Sequence, residues 1–107
     1  MIVYDLSIEF VRVVHLELMP SLRSADAELA QQLHRSSRSV TLNISEARSA
    51  RGRRRGNHFS IALGSARESH ACLELASATR ILPAALDEAK LLALSDRIQA
   101  MLWSLSR

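Results

Sequence analysis

Turn-forming residues are scarce in this sequence, whose 107 residues include only three glycines and two prolines. An all-β domain needs many turns and would carry more of both residue types. The chain is instead rich in Ala, Leu, Glu, Arg and Ser, a composition that favours helices. The sequence therefore predicts an all-α fold.

Cysteine and aromatic residues are scarce as well. Cys72 is the single cysteine, which excludes an internal disulfide and makes a reducing cytoplasmic compartment the expectation. We interpret Cys72 as a small apolar helix residue rather than as a reactive thiol. The aromatic residues are Tyr4, Phe10, Phe59 and Trp103, so the core must be built from Leu, Ile, Val and Ala.

Long apolar runs are missing too. No run approaches the roughly 18 residues of a membrane span, and residues 1–5 lack the basic start and cleavage site of a signal peptide. Hydrophobic residues make up 48% of the chain and charged residues 23%, which is typical of a folded globular protein. We expect a single domain, residues 1–107, with no membrane partner.

Apolar residues spaced three and four apart predict four helices. The first helix reaches about Met19, where Pro20 should end it, and residues 20–24 should form a loop before a cap at Ser24 or Asp26. The second ends near Ala50. Its predicted core positions are Leu29, Leu33, Val40, Ile44 and Ala47.

The second half of the chain contains the other two predicted helices. The third should run from about Asn57 to about Leu82, before Pro83, and the fourth should follow a cap at Asp87. The fourth helix has the most regular apolar seam, formed by Leu91, Leu94, Ile98, Met101 and Leu105. Short connections between long helices predict an antiparallel up-down-up-down four-helix bundle.

The third helix carries two stripes of small or apolar residues. One predicted stripe contains Phe59, Ala62, Leu63, Ala66, His70 and Leu73, and the other contains Ile61, Gly64, Glu68, Cys72 and Leu75. A bundle helix normally has one apolar stripe and one solvated face. The second stripe is covered either by another subunit or by the bundle itself, and the sequence leaves both interpretations open.

Residues 32–75 carry a distinctive polar and apolar pattern. Its segments are Gln32-Leu33-His34-Arg35-Ser36, then Ser39-Val40-Thr41-Leu42-Asn43-Ile44-Ser45-Glu46-Ala47, then Phe59, then Ile61-Ala62-Leu63-Gly64-Ser65-Ala66-Arg67-Glu68. This pattern resembles that of the four-helix-bundle proteins named after the 23S ribosomal RNA intervening sequence. The sequence departs from the family pattern at Thr41, at Ala47 and at the pair Arg35-Ser36, where the family has proline, glycine and Arg-Ala. The resemblance implies a closed bundle, a homopentameric ring in related proteins, and relatives that engage nucleic acid and a reverse transcriptase.

Seven arginines and one glutamate lie within residues 35–55, so the positive charge of the chain is local. The segment Arg51-Gly52-Arg53-Arg54-Arg55-Gly56 is expected to be an exposed, mobile loop, since glycines bracket it and like charges repel. It can contact several phosphates or simply aid solubility. No aromatic residue is interleaved for base stacking. The candidate nucleic-acid-binding residues are Arg48, Arg51, Arg53, Arg54 and Arg55.

Sequence patterns typical of enzymes are missing. The sequence has no phosphate-binding loop, dinucleotide fingerprint or zinc-ligand spacing, and His70 and Cys72 point away from each other on a helix. We expect no catalytic residues, no metal, no cofactor and no small-molecule substrate.

A second group of polar residues is expected at a subunit interface or in a polar network, and the alternative is that all of them are solvated. Gly64 should admit a close neighbour, either Asn43 or an adjacent subunit, and Glu68 should pair with Arg35 or Arg38 within or between chains. The group comprises Gln32, Arg35, Arg38, Asn43, Glu46, Gly64 and Glu68.

The sequence thus favours a non-enzymatic homo-oligomer that binds RNA, DNA or a nucleic-acid-associated protein through basic patches. The alternative is a structural or adaptor oligomer with a protein partner and no nucleic-acid role. Salt dependence separates them, because phosphate contacts weaken steeply with salt and apolar contacts do not.

Overall fold

In the computed structural model, which describes residues 1–107, every regular element is helical and no strand is present. A π-helical turn, Val14–Leu18, joins the first two helices without a gap. The molecule therefore consists of four helical rods, as the sequence predicted. The helices are α1 (Ile2–Val13), α2 (Met19–Ala25), α3 (Ala27–Ser49), α4 (Gly52–Ala78) and α5 (Glu88–Leu105).

One hydrophobic cluster of 22 buried residues draws on all four rods. The predicted core positions of α3 are all buried, and so are Phe59, Ala62, Leu63, Ala66 and Leu73 of α4. Full burial of such an aliphatic or aromatic side chain stabilises the fold by roughly 1.5–3 kcal/mol. None of the helices combines the length and the apolar character that crossing a membrane would require.

Aspartates cap two of the helices. Asp26 Oδ1 accepts a hydrogen bond from the Leu29 backbone N–H at 3.0 Å, and Asp87 Oδ1 accepts one from the Lys90 N–H at 3.1 Å. Each carboxylate satisfies a backbone donor that the helix itself cannot pair. The predicted caps at Asp26 and Asp87 are confirmed.

Pro20 does not end the first rod, so the loop predicted for residues 20–24 is wrong. The chain stays helical to Ala25, with Pro20 in the first turn of α2. In the preceding π turn, the Met19 N–H bonds to the Val14 carbonyl, five residues back instead of four. Proline is tolerated at the start of a helix because its missing N–H is not needed there.

The prediction of an exposed, arginine-rich loop at residues 51–56 is also wrong, because the connection between α3 and α4 consists of Ala50 and Arg51 alone. Gly52 has a φ of +58°, a left-handed conformation that other residues rarely adopt, and it turns the chain directly into α4. Arginine is a good helix former, so the following arginines continue the helix rather than break it.

Helix α4 ends at Ala78, four residues before the predicted end. Arg80 takes a left-handed φ of 58°, the Arg80 N–H bonds to the Ser77 carbonyl, and the Ile81 N–H bonds to the Ala76 carbonyl. This pair of bonds is a Schellman motif, whose left-handed position is usually glycine. An arginine there leaves no sequence signal for the helix end.

Polar side chains connect α3 to α4 along their length. Ser36 Oγ lies 2.7 Å from Ser69 Oγ, and Ser65 Oγ donates to Ser39 Oγ at 2.8 Å. The residue number increases along α3 from one pair to the next while its partner's number decreases along α4, so the two helices run in opposite directions. Because hydroxyls are small, they pair here without forcing the two helices apart.

Candidate functional site

Four helix ends meet at one end of the molecule, which we call the basic end. Arg48 lies in the last turn of α3, Arg51 precedes α4, and Arg53, Arg54 and Arg55 lie in the first turns of α4. Ser106 follows the end of α5 and lies beside Gly56. A Cβ built on Gly56 would be 3.7 Å from the Ser106 carbonyl oxygen. The sequence-predicted arginines are therefore brought together.

Arg55 is engaged within the fold. Its Nη1 donates to the Ala47 carbonyl at 3.1 Å, and its guanidinium lies 5.0 Å from the centre of the Phe59 ring. The bond adds a second donor to a carbonyl that already accepts from the Ala50 backbone N–H at 3.2 Å. Arg55 thus ties the two helices together and is less available to a ligand than the other arginines.

Arg48 is exposed but oriented. Its guanidinium lies over the Tyr4 ring, 4.5 Å from the ring centre, which joins α3 to α1. A cation over an aromatic ring keeps its charge and its outward hydrogen-bond donors. Arg48 therefore remains able to contact a phosphate.

Arg51, Arg53 and Arg54 are exposed and form no ion pair. Arg12 pairs with Glu9, and the His70 ring lies 3.8 Å from the Asp96 carboxylate, both away from the basic end. The first turn of α4 contains no acidic residue, and Arg51 provides no side-chain cap. Positive side chains at a helix N-terminus oppose the helix dipole, so this arrangement costs stability and concentrates positive potential.

An aromatic residue that sequence reasoning passed over also lies near the basic end. Trp103 is 48% exposed on α5, and the Arg107 guanidinium lies 4.2 Å from its ring centre. Trp103 lies one turn before Ser106, whose hydroxyl bonds to the Trp103 carbonyl. Trp103 lies about 50 residues after the arginines in the sequence, so sequence patterns alone provide no reason to group them. The packing of α5 against α4 brings Trp103 near the start of α4.

The predicted polar group lies mainly on the outer surface of α3 and α4. Asn43 is half-buried, and its Oδ1 is 3.2 Å from His58 Nδ1. Asn43 is thus paired with His58 of α4 and not with Gly64. The remaining members, Gln32, Arg35, Arg38, Glu46, Gly64 and Glu68, are all exposed.

Within one chain, Gly64 and Glu68 have no partner. A Cβ built on Gly64 would meet nothing within 4 Å, so Asn43 is not the close neighbour. Glu68 makes no ion pair with Arg35 or Arg38 inside the chain. Of the alternatives that the sequence left open for these two residues, a partner within the same chain is ruled out, and contact with another chain and simple exposure to solvent remain.

The second stripe of α4 is exposed except at one position. Ile61 and Leu75 are 51% and 52% exposed, whereas Cys72 is buried, contrary to its predicted place in that stripe. Burial, with a smaller effect of Glu68, raises the pKa of the Cys72 thiol. A raised pKa reduces the thiolate fraction, which agrees with its interpretation as a small apolar residue.

Two histidines that the sequence did not pair lie together beside the π turn. The rings of His15 and His34 are 6.5 Å apart between centres, in a groove between the first rod and α3. Burial, followed by the charges of Arg38, Arg23 and His15, lowers the pKa of His34. No group of three or more His, Cys, Asp or Glu side chains in the structure is arranged to hold a metal ion.

Comparison with known proteins places this fold in a family. The family model of the 23S rRNA-intervening sequence protein matches residues 1–104. This chain belongs to that family. The resemblance carried by residues 32–75 is therefore confirmed, and the family match extends to the flanking helices.

A solved structure of similar fold exists from the S23 ribosomal protein family. It is the 1.70 Å crystal structure of a protein with unknown function from Bacteroides thetaiotaomicron VPI-5482, with a TM-score of 0.83. The two sequences are 31% identical over 98% of each chain. No curated protein matches the chain.

Proposed function

We propose that this protein is a non-enzymatic homo-oligomer that binds nucleic acid through the arginines of its basic end. The observation that carries the proposal is the cluster of Arg51, Arg53 and Arg54, exposed and without an acidic partner at the start of α4. A fold gains nothing from cations at a helix N-terminus, so a ligand is a better reason for them than stability. Guanidinium groups match the geometry of phosphate groups and form paired hydrogen bonds with them.

The contacts described above suit phosphate recognition without base recognition. Arginines that project from one end of a rod meet the backbone of RNA or DNA at several points, whatever its sequence. Membership of a family whose name refers to a ribosomal RNA insertion agrees with an RNA partner. A ring of several copies would repeat the basic end and strengthen weak single contacts through avidity.

Replacement of Arg51, Arg53 and Arg54 by Ser should weaken the binding of a mixed-sequence RNA hairpin and of duplex DNA alike. Log affinity falls as log salt concentration rises, and each lost phosphate contact should make the magnitude of that slope smaller by about one. The fold should remain intact or gain stability, since a serine at position 51 can cap α4. Fluorescence anisotropy across a salt series measures the binding, and thermal unfolding measures the stability.

The matched control replaces Arg23, Arg67 and Arg97 by Ser, which removes the same charge from exposed positions outside the basic end. This control should keep most of the affinity at low salt. Equal losses in the two variants would show that net charge alone attracts the nucleic acid. Unchanged affinity after removal of the basic-end arginines would exclude them from binding.

Self-association is the second part of the proposal. On α4, Glu68 lies two turns from each of the exposed apolar residues Ile61 and Leu75, and one turn from the open backbone at Gly64. Glycine within a helix costs about 1 kcal/mol relative to alanine. No contact within the chain accounts for that cost, whereas the close approach of a second copy would account for it.

We take the four rods to alternate in direction, which leaves this stripe of α4 on the outside of the bundle.

A Gly64→Leu variant and a Glu68→Arg variant should each lower the molecular mass measured by sedimentation equilibrium at micromolar concentration. Leucine would fill the space that a second copy needs, whereas a Cβ at position 64 meets nothing within 4 Å in its own chain. Glu74→Arg is the control, because Glu74 is exposed on another side of the same helix. If Arg38 or Arg35 is the partner, its replacement by Glu should restore the assembly of Glu68→Arg.

A wild-type protein that remains monomeric at these concentrations would refute the homo-oligomer. An oligomer whose mass neither variant changes would leave self-association standing and would remove the α4 stripe from its interface.

The adaptor interpretation is favoured by a separate observation. An apolar groove between α1 and α5 is lined by Met1, Ile2, Met101 and Leu105, and Ile2 is 60% exposed. Such a groove suits an apolar protein partner. Partner binding that depends weakly on salt and survives loss of the basic-end arginines would favour this function instead.

A further inference from the structure

Trp103 is unusual among the aromatic residues of the chain. Phe10 and Phe59 are buried in the core and Tyr4 is half-buried, whereas Trp103 remains 48% exposed on α5. A tryptophan that packs for stability normally buries most of its large apolar ring. The exposure of Trp103 therefore calls for a ligand that covers the ring.

The surroundings of Trp103 are cationic. The Arg107 guanidinium lies over the ring, 4.2 Å from its centre, and forms no ion pair. The end of α5 lies beside the start of α4, because Ser106 is next to Gly56. Arg53 lies one turn before Gly56 and Trp103 one turn before Ser106, so both belong to the same two neighbouring helix ends.

Gly56 lies at the junction of the two helix ends. A Cβ at position 56 would lie 3.7 Å from the Ser106 carbonyl oxygen, so α4 and the end of α5 are in close contact at this point.

We propose that Trp103 is a stacking site for an unpaired base of single-stranded nucleic acid, whose phosphates lie on Arg107 and on the basic-end arginines. Aromatic side chains within a positively charged surface are the usual means of binding single strands without regard to sequence. The base takes the place of the Arg107 guanidinium on the ring or stacks on that guanidinium, and the displaced cation contacts a phosphate.

This inference rests on the proposed nucleic-acid function and specifies that the preferred ligand is single-stranded. Bases in a duplex are stacked on one another and cannot reach the indole. Single-stranded RNA or DNA should therefore bind more tightly than a duplex of equal length. The proposed role of the arginines alone predicts no such preference.

The single tryptophan of the chain provides a direct readout. Titration of the full-length protein with single-stranded oligo(U) or oligo(dT) should quench the Trp103 fluorescence, since a stacked base contacts the indole. A duplex of the same length should bind with little quenching. Trp103→Leu should lose about tenfold in single-strand affinity by anisotropy and little in duplex affinity, and Trp103→Phe should retain most of it.

The outcomes separate the two proposals. Single-strand binding that leaves the fluorescence unchanged and tolerates Trp103→Leu would overturn the stacking site while the basic-end function stands. Absence of any binding at low salt would overturn both. Circular dichroism confirms that the variants are folded, which the exposed position of Trp103 favours.

Discussion

At the scale of single residues, His34 connects the folded state to pH. Burial and the nearby charges of Arg38, Arg23 and His15 lower the pKa of His34 below its ordinary value of 6.5. The folded chain therefore disfavours the protonated imidazole more than the unfolded chain does. The contribution of neutral His34 to the free energy of unfolding is fully present above the pKa that His34 has in the unfolded chain. It is lost as the pH falls through the lower pKa that His34 has in the folded chain.

We expect the melting temperature to fall on acidification from about pH 7.5 to about pH 5.5, a window above the titration of most carboxylates. His34→Asn should make this decline smaller because the group that takes up the proton is gone. Arg38→Gln should reduce it as well, since the Arg38 charge is one of the causes of the shift. An unchanged decline in His34→Asn would show that another group controls the acid response.

At the scale of elements, Arg80 shows how a helix can end without its usual signal. Its left-handed φ of 58° costs a non-glycine residue roughly 1–2 kcal/mol. The two Schellman bonds to Ser77 and Ala76 hold it there. The half-buried side chains of Ile81 and Leu82, which pack on the core, draw the chain in the required direction.

Arg80→Gly should therefore stabilise the protein by about 0.5–1 kcal/mol, measured as a higher midpoint in urea unfolding. Thr79→Gly is the matched control. Thr79 has an ordinary backbone conformation, with φ −91°, so glycine there gains no relief and adds flexibility to the unfolded chain. A destabilised Arg80→Gly would mean that contacts of the arginine side chain outweigh its backbone strain.

The elements that sequence predicted well are those whose cause is local. Asp26 and Asp87 act through backbone groups three residues away, and the apolar stripe of α3 follows from helical spacing alone. The errors at Pro20 and Arg80 have non-local causes. A π turn and a left-handed arginine are both set by how neighbouring segments pack, and neither leaves a mark in composition or spacing.

The candidate site divides in the same way. The arginines could be recognised as a cationic cluster from their identity, but the engagement of Arg55 with Ala47 required the helix pair. Trp103 could not be assigned to that cluster, because its proximity depends on α5 packing beside the start of α4. Exposure of Glu68 without a partner likewise becomes visible only when the nearby arginines are located.

At the scale of the whole molecule, the bundle is a rod of 43 × 23 × 20 Å, and Arg48, Arg51, Arg53, Arg54 and Arg55 lie together at one end. Helix α4 begins and α3 ends there, so a positive and a negative helix terminus lie side by side. The α3 terminus offsets part of the α4 dipole, and the formal positive charge of that end comes from the arginine side chains. The potential can therefore be changed by substitution without altering the helices.

The aspartate caps of α3 and α5 have a consequence for how the molecule moves toward a ligand. Asp26 and Glu28 lie at the start of α3, and Asp87 and Glu88 lie at the start of α5, at the end of the rod away from the arginines. These carboxylates repel a polyanion while the arginines attract it. If nucleic acid is the partner, as proposed above, we expect collisions to occur preferentially with the arginines in front, which raises the association rate and leaves the dissociation rate to the contacts themselves.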